Sequence, residues 1–323
     1  MRALVVNELK GPDAIGIAEM PEPEAGAGEV LVDVVAAGVS FPDLLISQGL
    51  YQRRSEPPYV AGFEVAGRVR QAGAGSRFAP GDRVYGGATG AFAEVARAQE
   101  RMLFPLPDVL TFEQGAAVLV NYQTALFALA LRAGFRAGES LFVLGASGGV
   151  GTAVIQVAKG LGASRVVGLV STPEKVQPAL LAGADQVVVA EPGWRERVVE
   201  ATGGRGADVV YDPVGGERFD EAVRCLAPGG RLLVIGFAGG GIPTVKVNRL
   251  LLRNVAVVGA AWGEWVARDP DLPGRLGAHL GRLIDAGAVR PVIGESLPLD
   301  RGAEAFRLLA DRKAVGKVVL RVA

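Results

Sequence analysis

The sequence predicts a two-part α/β protein in which a doubly wound parallel sheet is inserted into a mainly β domain. Three observations predict it. An apolar run at 141–144 enters the glycine turn Gly145-Ala-Ser147-Gly148-Gly149-Val150-Gly151, after which 152–159 reads as a helix. Five more apolar runs follow at nearly even spacing, at 166–170, 187–189, 209–211, 232–235 and 255–258, with helix-like segments at 173–181, 194–201 and 217–226 between them. Ahead of all these, short strand patterns broken by Pro21-Glu-Pro23 and Ala79-Pro-Gly81 fill the chain to about Phe104. Strands alternating with helices require right-handed crossovers and a parallel sheet buried on both faces, which is why its strands are continuous Val and Leu.

Taken in order, the first part offers strands at 4–6, 29–36, 64–72, 82–85 and 92–95, the pattern of a partly closed barrel. Helical character starts at Thr111-Phe-Glu-Gln114, a capping box, and continues at 122–133. After Gly259 the sheet pattern stops. A helix at 273–286, apolar positions at Val292 and Leu297, a helix at 301–310 and a last strand at 317–322 complete the chain. The expected division is a first domain at 1–120, a nucleotide-binding domain at 121–261 and a return to the first domain at 262–323.

At 323 residues the chain can bury two separate cores. Its 34 Lys and Arg balance 34 Asp and Glu, so no global field draws it to nucleic acid or an anionic membrane. Cys225 is the only cysteine, which excludes an internal disulfide and a cysteine-rich metal site. Met1 to Leu9 carries Arg2 and Glu8 and lacks the apolar core of a signal peptide, and no apolar run is long enough to span a bilayer. A cytoplasmic protein is expected.

The glycine turn has the chemistry of a pyrophosphate site. Ser147, Gly148, Gly149 and Val150 bring free N–H groups to the positive end of the following helix, and glycine lets the backbone come close. After the second strand, NAD-binding proteins usually offer an acid to the ribose 2′-hydroxyl. Here Ser171 and Thr172 stand there, with Lys175 a helical turn on. Two hydroxyls and an ammonium suit a 2′-phosphate, and hydrogen bonds to a charged group contribute about 1.5–3 kcal/mol each, enough for tenfold discrimination. NADPH is therefore the expected cofactor, although Ser171-Thr172-Pro173 can equally cap the next helix. Two further loops at strand ends line the ligand crevice of such a sheet: Asp212-Pro-Val214-Gly215-Gly216 and Gly236-Phe237-Ala238-Gly239-Gly240.

Along nearly its whole length the chain resembles the medium-chain dehydrogenases/reductases. Gly62-Phe63-Glu64-Val65-Ala66-Gly67-Arg68-Val69 is similar to that superfamily's GHExxGxV segment, Gly81-Asp82-Arg83-Val84 to its GDxV turn, and Gly38-Val-Ser40-Phe-Pro-Asp43 to the segment that carries a zinc cysteine in alcohol dehydrogenases. Ser40 replaces that cysteine and Phe63 the histidine, and the four-cysteine structural zinc lobe is absent, so no metal is expected. The sole histidine, His279, falls in a helix beyond the sheet. With the glycine turn, Ser171-Thr-Pro-Glu-Lys175, Gly206-Ala-Asp-Val-Val-Tyr-Asp212 and Trp262-Gly263, these departures resemble the zinc-independent NADPH:quinone oxidoreductases, the zeta-crystallin-like branch.

That resemblance implies a GroES-like catalytic domain around a Rossmann sheet, a homodimer, and hydride transfer from NADPH to a small quinone or enone. It also implies that Ser40 and Asp43 lie beside the nicotinamide, with Thr124 and Phe237 contacting the cofactor. Tyr51 and Tyr59, in a Pro-rich loop, can stack on a quinone or donate to its oxygen. Metal-free reduction of an activated acceptor needs alignment and one stabilising donor, which suits so sparse a set. The alternatives are an enoyl or alkenal reductase with Tyr51 as proton donor, and a cofactor-binding protein with a structural or RNA-binding role, although no basic aromatic patch supports the last.

Overall fold

The computed structural model describes residues 1–322, which divide into two compact units. One comprises Met1–Val120, Pro273–Gly277 and the chain from Pro291 onward; the other comprises Asn121–Leu272 and Ala278–Arg290. The chain therefore returns to the first unit later than the expected residue 262. Packing explains the delay: the Trp265 and Phe127 rings meet at a tilt with centroids 5.7 Å apart, and the Leu283 side chain lies over Gly160, both within the second unit.

The second unit is a six-stranded, wholly parallel sheet in the order Gln186–Val189, Arg165–Val170, Ser140–Leu144, Ala207–Asp212, Leu226–Val234, Ala256–Gly259. In sequence order that is 3-2-1-4-5-6, the doubly wound arrangement. The order reverses between Ser140–Leu144 and Ala207–Asp212, so the crevice opens beyond Leu144 and Asp212. Phe142, Leu144, Val167, Val210 and Leu232 pack with Val198, Phe219 and Val223 from the covering helices into one core.

The glycine turn is shaped by contact as well as by φ. Gly145 has φ +61°, and the helix Gly149–Gly160 starts so close to the turn that a Cβ on Gly151 would lie 2.2 Å from the Gly145 carbonyl oxygen. Any side chain at Gly151 would push the helix off the strand.

In the first unit a seven-stranded sheet runs Ile293–Pro298, Lys317–Arg321, Glu29–Val39, Glu64–Ala72, Arg83–Gly87, Leu103–Pro105, with Val95–Gln99 also paired to Glu29–Val39. A second sheet of Ile15–Glu19, Arg2–Val6 and Tyr59–Val60 completes the β layer. Valines and alanines from both sheets pack with Phe92 and Phe306, whose rings meet edge-on at 6.1 Å. Two strand expectations shift: 92–95 becomes an irregular link bonded across the sheets, with its strand at Val95–Gln99, and 82–85 extends through Gly86 and Gly87. The capping box at Thr111 forms, with Thr111 and Gln114 bonded reciprocally. Among the described residues no helix is long and apolar enough to cross a membrane.

Gly151→Ala is expected to lower the unfolding free energy by about 1–3 kcal/mol through overpacking. A denaturant midpoint equal to that of the wild type would contradict this close approach.

Candidate functional site

In the second unit the expected cofactor residues gather at the carboxyl ends of the strands. Gly148 is the N-cap of the helix Gly149–Gly160, and no side chain caps it, so the first N–H groups of the helix face the turn without a protein acceptor from that position. Ser147 is buried, while Gly148, Gly149 and Val150 are half-buried at the turn. The Ala146 N–H donates to the Leu169 carbonyl at 3.0 Å, tying the turn to the strand that ends in Val170. Beyond it Ser171 and Thr172 are exposed, and Thr172 precedes the short turn Pro173–Lys175. The Lys175 ammonium is half-buried, and that burial pushes its pKa down.

Across the switch point, Asp212 organises a loop. Its Oδ1 accepts the N–H groups of Val214 and Gly215, each at 2.8 Å, while Oδ2 is buried without a protein partner. Burial raises the Asp212 pKa, and the two N–H donors oppose it. The loop after the fifth strand zips onto this one: Ala238 and Gly239 donate to the carbonyls of Pro213 and Val214 at 3.1 and 2.7 Å, and Gly216 donates to Gly241 at 3.0 Å. A Cβ on Gly145 would meet Val214 at 3.1 Å, and one on Gly215 would meet the Phe237 ring at 3.0 Å. Gly145, Asp212, Val214, Gly236 and Phe237 thus form one continuous surface. Thr124 is half-buried on the helix Leu119–Leu126.

The first unit holds a different kind of site. Glu64 and Lys317 begin the strands that flank Glu29–Val39 on its two sides, and Glu64 pairs in register with Gly38. A Cβ on Gly38 would lie 2.0 Å from the Ala116 carbonyl oxygen and 2.7 Å from the Lys317 stem, so the glycine leaves room for both. The ammonium then pairs with the Glu64 carboxylate and donates to the Ser40 hydroxyl at 2.6 Å. Ser40 in turn donates to Glu64 at 2.8 Å, and the other Glu64 oxygen accepts the Val120 N–H at 2.8 Å. Glu64 is 1% and Lys317 3% exposed.

Asp43 adjoins this network. It sits in the first turn of the helix Phe41–Ser47, 7% exposed, and accepts the Ser40 N–H at 2.8 Å. Burial pushes its carboxyl up to about 7; the Ser40 N–H and Lys317 pull against that, and Glu64 adds to it. The folded carboxyl therefore keeps a proton that an unfolded one releases near pH ~4. Stability from this group is present on the acid side and is lost as pH rises towards about 7. Tyr59 is half-buried, and burial together with the nearby Asp43 charge pushes its phenol up to about 12. Tyr51 is half-buried in the loop that precedes it.

Ser40 differs from its expected part. Its proton is committed to Glu64 and its lone pair to Lys317, so it fixes the helix start rather than facing outward. Sequence reasoning does not single out Glu64 or Lys317 as functional residues. A glutamate opening one apolar strand and a lysine opening another are the available signals, but nothing local joins them.

The "Alcohol dehydrogenase GroES-like domain" family model matches residues 26–108, and the "Zinc-binding dehydrogenase" model matches 149–273. A quinone oxidoreductase-like protein 2 from Bos taurus is 37% identical over 323 residues, covering 99% of this chain and 92% of that protein. A solved probable oxidoreductase from Mycobacterium abscessus is 44% identical with TM-score 0.91, covering 100% of this chain and 99% of the other. The quinone oxidoreductase of Thermus thermophilus, solved alone and in complex with NADPH, is 36% identical with TM-score 0.84 over 100% of both chains.

Zinc, which one of these descriptions names, does not fit the residues present. Phe63 offers no donor atom, the Ser40 hydroxyl is held by an ammonium that would repel a cation, and among the described residues no three His, Cys, Asp or Glu side chains converge as ligands. His279, half-buried on the helix Leu272–Asp285, is not part of such a set.

Removing one member of a buried ion pair strands the other, at a cost of about 3–5 kcal/mol. Lys317→Met is expected to lose stability on that scale, and adding Glu64→Gln to recover part of it. Chemical denaturation of both variants checks this; a double variant less stable than the single one would contradict the pairing.

Proposed function

The chain belongs to the quinone oxidoreductase family of the medium-chain dehydrogenases/reductases and is an oxidoreductase, and we propose that it reduces quinones or similar activated acceptors with NADPH and without zinc. The observation that carries this reading is the donor set of the first unit. Its buried cation, Lys317, spends its bonds on Glu64 and Ser40, so it is not free to polarise an unactivated carbonyl. Quinones and enones need no such polarisation, because their own conjugation accommodates the incoming electron pair.

NADPH, which binds the Thermus thermophilus relative, matches the second unit's chemistry. The N–H groups of the turn through Ser147, Gly148, Gly149 and Val150 would hold its pyrophosphate, Ser171, Thr172 and Lys175 its 2′-phosphate, and Thr124, Asp212, Val214, Gly236 and Phe237 its nicotinamide half. Bound there, the cofactor supplies the hydride. Asp212 orients the Val214 and Gly215 peptides, and the hydrogen bonds between the two loops hold them together. On the acceptor side Tyr51 and Tyr59 offer aromatic faces and hydroxyls, with Asp43 beside Tyr59 and Ser40 holding the helix that carries Asp43.

The pairing of a buried carboxyl with a phenol also suits reduction of an enal or enoyl C=C bond, which needs a proton for the adjacent carbon. We further propose a homodimer in the cytoplasm. The edge strand Ala256–Gly259 carries no charge or proline, and the exposed Val247, Leu251 and Leu252 flank it, a surface that a second copy would cover. Cys225 is a buried free thiol, as suits a reducing compartment.

The test is NADPH oxidation with matched quinones, enals and enoyl thioesters, with NADH and a metal chelator run in parallel. Turnover of quinones by NADPH, unaffected by the chelator, is expected. Lys175→Ala should raise the KM for NADPH at least several-fold and leave that for NADH nearly unchanged. Equal effects on both cofactors would remove Lys175 from the phosphate site.

A further inference from the structure

We propose that Gln156 is a positioning residue for the cofactor: its side-chain amide locks Tyr122 to the helix Gly149–Gly160 and so holds Thr124 at a fixed distance from the glycine turn, matched to the span of one NADPH. The proposal rests on the cofactor reading above and adds to it what keeps the sites for the two halves of the dinucleotide in register.

The geometry begins at the amide. Gln156 Oε1 accepts the Tyr122 hydroxyl at 2.8 Å and the Arg290 N–H at 2.9 Å, and Nε2 donates to the Arg290 carbonyl at 2.7 Å. The two bonds to Arg290 admit one orientation, because a flipped amide would set donor against donor and acceptor against acceptor. Oε1 is thereby aimed at Tyr122. Gln156 is 7% and Tyr122 2% exposed, so neither can exchange this bond for one to bulk water. All three residues belong to the second unit.

Both sides of this contact lead to a place where the cofactor would bind. On one side, Gly149, Thr152 and Gln156 share a face of their helix by spacings of three and four residues, and Thr152 donates to the Gly148 and Gly149 carbonyls at 3.1 and 3.2 Å. The glycine turn and Gln156 are thus parts of one rod, roughly 10 Å apart along its axis. On the other side, Tyr122 and Thr124 lie two residues apart in Leu119–Leu126, about 200° around the helix axis. A tyrosine anchored inward therefore turns the threonine outward. Thr124 is the one residue from 121 to 129 that is not buried, so a ligand meets this stretch through Thr124.

The use of such a lock follows from the shape of the ligand. A dinucleotide engages both half-sites together only if they stand at its own length, and each bound half then holds the other at high local concentration. An amide bonded at three points fixes that span. Without it the helix that carries Thr124 can turn or slide against the glycine turn, leaving each half-site intact and their register lost. Gln156 and Tyr122 act through Thr124 and the turn rather than on NADPH itself.

Two ligands separate register from fold. The probes are NADPH and 2′-phospho-ADP-ribose, which keeps the adenine, the 2′-phosphate and the pyrophosphate and lacks the nicotinamide, each titrated by calorimetry. In Tyr122→Phe and in Gln156→Met the Kd for NADPH should rise about three- to tenfold, while that for 2′-phospho-ADP-ribose stays at the wild-type value. Thr124→Ala should weaken NADPH selectively too, and adding Tyr122→Phe to it should cause no further loss, because the lock acts through Thr124. Equal weakening of both ligands would reduce the amide to a structural support and overturn the proposal. Unchanged NADPH binding in both variants, or full additivity of Tyr122→Phe with Thr124→Ala, would overturn it as well. Tyr122→Phe removes a single oxygen, so the test stands even where Gln156→Met does not fold. Wild-type protein that binds neither ligand would instead overturn the cofactor reading, and the positioning role with it.

Discussion

The ion pair of Glu64 and Lys317 is the constraint on which the first unit rests. It joins the starts of two strands across a third, and Ser40 and the Val120 N–H satisfy its remaining polar atoms. A buried pair is expensive to desolvate and gains little over a well-packed apolar pair, so its value lies in specificity of placement. Through Ser40 it fixes the start of Phe41–Ser47, and hence Asp43. Through Val120 it anchors the first turn of Leu119–Leu126, the helix on which Thr124 lies a turn later.

An ammonium in this position does different chemistry from a metal ion. Zinc in a catalytic site keeps one position open for substrate oxygen. Lys317 is buried and directs its N–H groups at Glu64 and Ser40, a closed arrangement with no comparable vacancy. The charge therefore organises side chains: it fixes Ser40 and Glu64 in place.

Much of the second unit could be read from the chain because its signals are local. Each buried parallel strand is a continuous apolar run, and the helix Trp194–Ala201 falls where the residues between two runs predict it. The first unit is less legible. Tyr59–Val60 is two residues long and follows Pro57-Pro58, and the helix Phe41–Ser47 starts at Phe-Pro within a run that resembles a loop. The strand Ile15–Glu19 is short and follows a single turn of 3-10 helix. Most hidden of all is the central ion pair, because its partners are 253 residues apart and each is only the first charged residue of its own strand. Gly38 gives no hint either: its requirement comes from the Ala116 carbonyl and the Lys317 stem, both distant in sequence, and local spacing cannot express that.

The late return of the chain bears on the order in which a ribosome could complete this molecule. Everything the second unit needs has been synthesised by Arg290, so its sheet can close while the rest of the chain is still emerging. The first unit has most of its strands by Val120, yet the cation that neutralises Glu64 arrives only with Lys317. Until then Glu64 has no cation beside it, and the edge of Glu29–Val39 that pairs with Lys317–Arg321 has no partner strand. The part begun first is thus finished last, when its own chain supplies the partner.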